Sequence, residues 1–280
     1  MCDQDHFAED LKKYTRRDVG VLAAAVGVAF MLPRAANALD VKESDVAIKT
    51  PDGECDAYFV APSGAHAAVL VWPDIFGLRP AFRQMGKRLA ESGYAVLVVN
   101  PFYRTKKAPT APNGAQTPIP EVLPLAQTLN ATTHVTDAKA FIAWLDGRSE
   151  VAKNKKIGTI GYCMGGPMVM RTAAAVPNRV GAGCSFHGGG LTTNMPDSPH
   201  LLIPQMKASF LIAVAENDDM RDPMSKTTLK EAFAAAKLNA EIEVYPAAHG
   251  WCPPDTTVYN KDAAEKAWSR MLALFDKALA

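Results

Sequence analysis

The sequence predicts an α/β fold with a mostly parallel central sheet flanked by helices. Three observations carry that reading. Short β-branched runs alternate with helix-compatible segments along most of the chain, the pattern that produces a parallel sheet. Asp74, Cys163, His187, Asp218 and His249 each lie just beyond such a run, and in sheets of this kind chemistry gathers past the carboxyl ends of the strands. One strand-to-helix junction, Ile160-Gly161-Tyr162-Cys163-Met164-Gly165-Gly166, reads Gly-x-Cys-x-Gly.

The elements follow in order. Val46–Thr50 and Cys55–Ala61 flank the turn signature Pro51-Asp52-Gly53-Glu54 and predict an antiparallel hairpin. Ala67–Trp72 and Ala95–Val99 are continuous apolar runs, hence buried strands. Between them Phe82–Ser92 has helical spacing, with Gly93 as its C-cap. Asn100 to Leu129 is rich in Pro, Thr and Ala with little periodicity. It predicts an excursion over the active-site face, with a short helix near Pro120–Leu129. Thr132–Leu145 predicts a helix, Lys156–Ile160 a strand and Gly166–Ala175 the helix that follows it. Val180–Phe186 predicts a strand entering His187-Gly188-Gly189-Gly190. Ser209–Ala215 does the same before Glu216-Asn217-Asp218-Asp219, and Glu241–Tyr245 before Pro246-Ala247-Ala248-His249-Gly250. Pro223–Lys237 and Ala263–Ala280 complete the set as helices. There is no internal repeat and no sign of a second domain.

Composition bounds the function. The chain has 280 residues and a formal net charge of +1, with both signs interspersed. That suits one large domain and gives no reason to expect a nucleic-acid partner. The first 38 residues form a separate unit. Arg16-Arg17 opens an apolar run from Val19 to Leu32, and Ala36-Asn37-Ala38 fits a small-residue cleavage site. We expect a twin-arginine signal peptide over residues 1–38, recognition by the twin-arginine export machinery, cleavage after Ala38 and a periplasmic mature protein. The run is shorter than the roughly 20 residues a membrane span needs, and no other segment is apolar enough. Residues 39–280 then form the α/β domain. Cys2 leaves with the signal, while Cys55, Cys163, Cys184 and Cys252 stay. Their spacing matches neither a disulfide scaffold nor a zinc site, so no metal or other cofactor is expected.

Gly-x-Cys-x-Gly between strand and helix is the pattern of a nucleophile elbow. A sharp turn forces the nucleophile into a strained backbone conformation, so its flanks must lack side chains. The helix that follows aims N–H groups and a partial positive charge at the same point, which favours thiolate and oxyanion alike. A thiolate needs a base, and the base needs an orienter. Cys163, Asp218 and His249 follow in the order nucleophile, acid, histidine, each after its own late strand. Asp219 competes with Asp218 for the acid role. His187 competes with His249 as base, although a substrate contact suits its place in the order better. The backbone N–H groups of Ile75 and Met164 are the expected oxyanion donors.

These motifs together resemble the dienelactone hydrolase family, α/β-hydrolases that open lactones with a Cys-His-Asp triad. Gly161-Tyr162-Cys163-Met164-Gly165-Gly166 resembles the family elbow, Asn217-Asp218 its acid turn and Ala248-His249-Gly250 its histidine turn. Asp74-Ile75-Phe76-Gly77 stands where the family has Glu-Ile-Phe-Gly. Asn100-Pro101-Phe102-Tyr103-Arg104 resembles the segment after the next strand. The resemblance implies the α/β-hydrolase fold and a carboxymethylenebutenolidase-like hydrolase of a small lactone or ester, working through a thioester. It implies a catalytic part for Asp74 in activating the thiol. It also implies substrate contacts for Tyr103, Arg104, His187 and Trp251. The chain departs from the pattern at two points. Asp74 is one methylene shorter than the family Glu. Cys252-Pro253-Pro254 stands where the family carries a second substrate-binding arginine. The alternative reading is a non-catalytic periplasmic binding protein on a hydrolase fold.

Overall fold

Eight strands form one sheet in the order β1-β2-β4-β3-β5-β6-β7-β8. They are β1 Val41–Thr50, β2 Gly53–Pro62, β3 Ala68–Trp72, β4 Ala95–Val99, β5 Ile157–Tyr162, β6 Val180–Phe186, β7 Ser209–Ala215 and β8 Ala240–Tyr245. The computed structural model describes residues 32–33 and 38–280. The predicted twin-arginine pair lies outside the described residues, as do Ala36, Asn37 and all of the predicted apolar run except Leu32. Among the described residues no helix is long and apolar enough to cross a membrane.

From β4 onward all neighbours in the sheet run parallel, while β1–β2 and β2–β4 are antiparallel. The apolar runs explain this. Every residue of β3, β4 and β5 is buried, which requires helices on both faces. One face is covered by α3 (Ala131–Asp146), α4 (Gly165–Ala175) and α6 (Pro223–Ala235), through Phe141, Met168 and Phe233 among others. The other is covered by α1 (Pro80–Glu91) and α7 (Lys261–Ala278), through Phe82, Leu89, Met271 and Phe275. The sheet and its flanking helices form the α/β-hydrolase arrangement.

The structure extends some predicted elements. The hairpin strands each run to ten residues, paired from Val41↔Pro62 to Thr50↔Gly53. The added stretch Val41–Asp45 is mostly polar because β1 is the sheet edge with one face to solvent. Tyr58 Oη anchors it by donating to Glu43 at 2.8 Å. Helix α1 starts at Pro80, a residue suited to the first helical turn. The excursion contains α2 (Ile119–Ala126). A short helix, α5 (Glu216–Arg221), replaces the loop expected after β7.

Candidate active site

The carboxyl ends of β3, β5, β6, β7 and β8 bring the predicted residues to one edge of the sheet. At the end of β5, Cys163 adopts φ 51°, a conformation that non-glycine residues rarely take. Its N–H donates to Phe186 O at 3.1 Å, and its carbonyl accepts from Gly166 N–H at 3.1 Å. The flanking glycines are required by space. A Cβ on Gly161 would lie 2.1 Å from Gly165 O, and one on Gly165 would lie 2.5 Å from Trp72 O. One on Gly166 would sit 2.7 Å from Gly188 Cα. Three backbone segments therefore converge on the turn, which fixes Cys163 at the N-terminus of α4.

His249 follows β8 and receives two supports from the β7 side. Asn217 Oδ1 accepts its backbone N–H at 2.8 Å, and Asp218 Oδ2 lies 2.6 Å from Nδ1. Asp219 points elsewhere, its two oxygens held by Lys226 Nζ at 2.7 and 2.6 Å. Helix α5 produces this separation, because consecutive helical residues leave about 100° apart. Of the two neighbouring carboxylates, the one on His249 is Asp218.

His187 also has a left-handed backbone, φ 42°, at the end of β6. Its ring packs edge-on against His249 at 5.0 Å between centroids and against Trp251 at 5.8 Å. Neither ring nitrogen has a hydrogen-bond partner. Burial holds its pKa well below the ordinary histidine value, and the neighbouring His249 adds to this. His187 is thus a neutral imidazole beside His249. Trp251 is completely buried and stacked on Tyr245, 5.0 Å between centroids, so it backs the histidine pair.

The turn after β3 supplies Ile75. Gly77 N–H donates to Asp74 O at 2.9 Å and Phe76 N–H to Asp74 Oδ1 at 3.0 Å, closing the turn. Ile75, Phe76, Ala111 and Val122 form a buried apolar cluster, and Met164 packs against it. The Ile75 turn, the elbow and the excursion with α2 therefore share one wall. Asp74 itself faces Arg79, which sequence reasoning missed. Arg79 Nη1 and Nη2 donate to the two Asp74 oxygens at 2.6 and 3.0 Å. Its Nε and Nη2 reach Asp255, beyond His249, at 2.6 and 2.9 Å. The guanidinium joins the Ile75 turn to the histidine loop. No local signal reveals this, since Arg79 and Asp255 are 176 positions apart.

Tyr103 and Arg104 have protein partners too. Tyr103 Oη lies 2.8 Å from Asp137 Oδ1 and 2.7 Å from Thr50 Oγ1. Arg104 makes a bidentate pair with Asp137 at 2.8 and 2.7 Å, and its Nε donates to Asp52 at 3.0 Å. These contacts tie the segment after β4 to α3 and to the hairpin turn. Burial raises the thiol pKa of Cys55, Cys184 and Cys252, which keeps those sulfurs protonated and unreactive. Among the described residues no group of three or more His, Cys, Asp or Glu side chains is set to hold a metal ion.

The model of the dienelactone hydrolase family matches residues 55–279. The chain belongs to the dienelactone hydrolase family. The reaction class that goes with it is hydrolysis of a carboxylic ester or lactone. A candidate carboxymethylenebutenolidase of Synechocystis sp. is 28% identical over 251 residues, covering 86% of this chain and 99% of its own. The carboxymethylenebutenolidase of Rhodococcus opacus is 26% identical over 237 residues, covering 82% and 90% respectively. A candidate dienelactone hydrolase from Klebsiella pneumoniae superposes with a TM-score of 0.75 at 24% identity, covering 85% of this chain and 99% of that one. This likeness extends to the fold.

Proposed function

We propose that Cys163, His249 and Asp218 are nucleophile, base and orienter of a lactone or small-ester hydrolase that works through a thioester. The observation that carries the reading is the 2.6 Å contact of Asp218 with His249 Nδ1, in a chain whose Gly-x-Cys-x-Gly turn presents Cys163 at φ 51°. Asp218, accepting from Nδ1–H, sets the imidazole tautomer so that Nε2 takes the thiol proton. The thiolate adds to the substrate carbonyl. The backbone N–H groups of Ile75 and Met164 then face the oxyanion, a role supported by the shared wall of the turn and the elbow. Collapse expels the ring or ester oxygen, which takes the proton from His249 Nε2, and leaves an acyl-thioester. Water, deprotonated by His249, cleaves it and returns the thiol. A lactone that opens to an enolate makes a good leaving group, which suits a sulfur nucleophile.

In this reading His187 and Trp251, both buried, back His249 from behind and do not meet the substrate. Asp74 shapes the oxyanion turn, because both its oxygens are engaged by Arg79. The test is hydrolysis of a panel of butenolides, saturated lactones and short-chain nitrophenyl esters by wild type and Cys163→Ala. Turnover that disappears in a folded Cys163→Ala protein supports the reading; turnover that persists refutes it.

We also propose export by the twin-arginine route, with the mature enzyme in the periplasm. The support is Arg16-Arg17 before an apolar run and Ala36-Asn37-Ala38 after it. Replacing both arginines by lysine is expected to trap full-length protein in the cytoplasmic fraction. Unchanged fractionation refutes the route.

A further inference from the structure

We infer that this site takes uncharged lactones or esters and discriminates against substrates that carry a carboxylate. The inference rests on the hydrolytic reading of Cys163 and names its substrate class. It comes from the accounting of cationic side chains around the site.

Arg79 is the guanidinium nearest the oxyanion turn in sequence, and every one of its donors is in use. Nε serves Asp255; Nη1 serves Asp74 and, at 3.4 Å, Gly77 O; Nη2 serves Asp74 and Asp255. Its side chain is 1% exposed. A substrate carboxylate would have to displace a buried, doubly bidentate partner set to reach it. Arg104, on the next loop, is committed to Asp137 and Asp52. Three further cations near the loops are also engaged: Lys106 Nζ donates to Thr110 O at 2.9 Å, Lys226 holds Asp219, and Arg221 Nη1 reaches Asp218 Oδ1 at 3.4 Å.

The balance of charge points the same way. Asp74 and Asp255 surround one guanidinium, so that cluster carries a net charge of −1. It spans the two loops that flank the reacting centre. At an effective dielectric of about 20, a like charge roughly 10–15 Å away lowers affinity about six- to fifteen-fold. The wall formed by Ile75, Phe76, Ala111, Val122 and Met164 is apolar. It solvates an uncharged acyl group well and offers a carboxylate no hydrogen bond.

The test uses a matched pair of substrates that differ by one charge: carboxymethylenebutenolide, the lactone in the name of the Rhodococcus relative, and its methyl ester. Opening of the lactone ring is followed in the full-length protein, with rates divided by the uncatalysed rate of each compound. The expected result is a kcat/KM at least fivefold higher for the uncharged ester. Asp255→Asn, which removes one negative charge from the cluster, is expected to shrink that ratio severalfold, with ester turnover showing that the variant is folded. A ratio below fivefold in wild type, with turnover that needs Cys163, overturns this inference and leaves the hydrolase reading standing. Absence of Cys163-dependent turnover on both compounds overturns both.

Discussion

The protein is expected to lose stability on mild acidification through His134, a histidine on α3 outside the proposed triad. His134, on α3, is buried, with Nδ1 facing Arg171 Nη1 at 3.1 Å and no partner for Nε2. Burial, reinforced by the Arg171 charge, lowers its pKa from 6.5 to about 3. The folded state therefore keeps the ring neutral while the unfolded chain protonates it. A histidine with a depressed folded pKa contributes its full stability above 6.5 and loses it as pH falls from 6.5 towards 3. Between pH 7.5 and pH 5.0 the loss is about 2 kcal/mol, at ~1.4 kcal/mol for each pH unit below 6.5. His134→Gln isolates this contribution. Glutamine does not titrate, and its carbonyl oxygen still accepts from the buried guanidinium. Urea denaturation of both proteins at pH 7.5 and 5.0 gives the stability difference at each pH. The variant is expected to gain about 2 kcal/mol on wild type between the two conditions. A difference that stays constant within ~0.5 kcal/mol would falsify the neutral, buried assignment.

Other expectations follow from the same contacts. Asp218→Asn should lower kcat by about 10³–10⁴ by upsetting the His249 tautomer, whereas Asp219→Asn should leave kcat within a few-fold; equal losses would remove the distinction drawn from α5. Gly161→Ala should cost more than the ~3 kcal/mol upper range of ordinary overpacking, because the new Cβ meets backbone, Gly165 O, at 2.1 Å. That is a Tm lower by roughly 6–12 °C or more, and a shift under ~2 °C would contradict the tight elbow. Arg79→Met strands Asp74 and Asp255 and should destabilise by ~3–5 kcal/mol. Adding Asp74→Asn and Asp255→Asn should recover part of it, and a triple variant no more stable than the single one would rule out charge stranding as the cause.

The elbow was legible in the sequence because its demands are local. Gly161, Gly165 and Gly166 are dictated by backbone approaches within one turn, so the residue pattern and the geometry carry the same information. The central strands were legible for a similar reason: burial on both faces leaves an uninterrupted apolar run in β3 and β4. The commitments of charged side chains were not. Arg104 reads as a substrate contact because its segment resembles the one after the corresponding strand of the family, and Asp137, its partner, lies on a helix where a carboxylate normally reads as solvent-facing. Sequence order favours Asp218 over Asp219 because it comes first after the strand, but the physical separation of the two carboxylates is made by α5, whose six residues are too short to show helical periodicity. Arg79 and Asp255 pair across most of the chain. A one-dimensional pattern tells where a guanidinium stands and says nothing about which carboxylates reach it first.

Unfavourable geometry is concentrated where β5 and β6 end. Among the described residues three non-glycine residues have positive φ; Cys163 and His187 are two of them, and they terminate adjacent parallel strands. The two turns brace each other: Cys163 N–H donates to Phe186 O, and Gly189 N–H reaches back to Cys163 O at 3.4 Å. Beside them the His187 ring is buried with no protein partner on either nitrogen. Strained backbone typically costs ~1–3 kcal/mol per residue. A fold selected for stability alone would relax these turns with glycine at 163 and 187 and with an apolar ring in place of the imidazole. Both unfavourable turns lie in one braced patch beside the His249 ring, whose centroid is 5.0 Å from that of His187, and this accords with the proposed role of Cys163. The central strands β3, β4 and β5, buried along their whole length and paired on both sides, offset the cost of this patch.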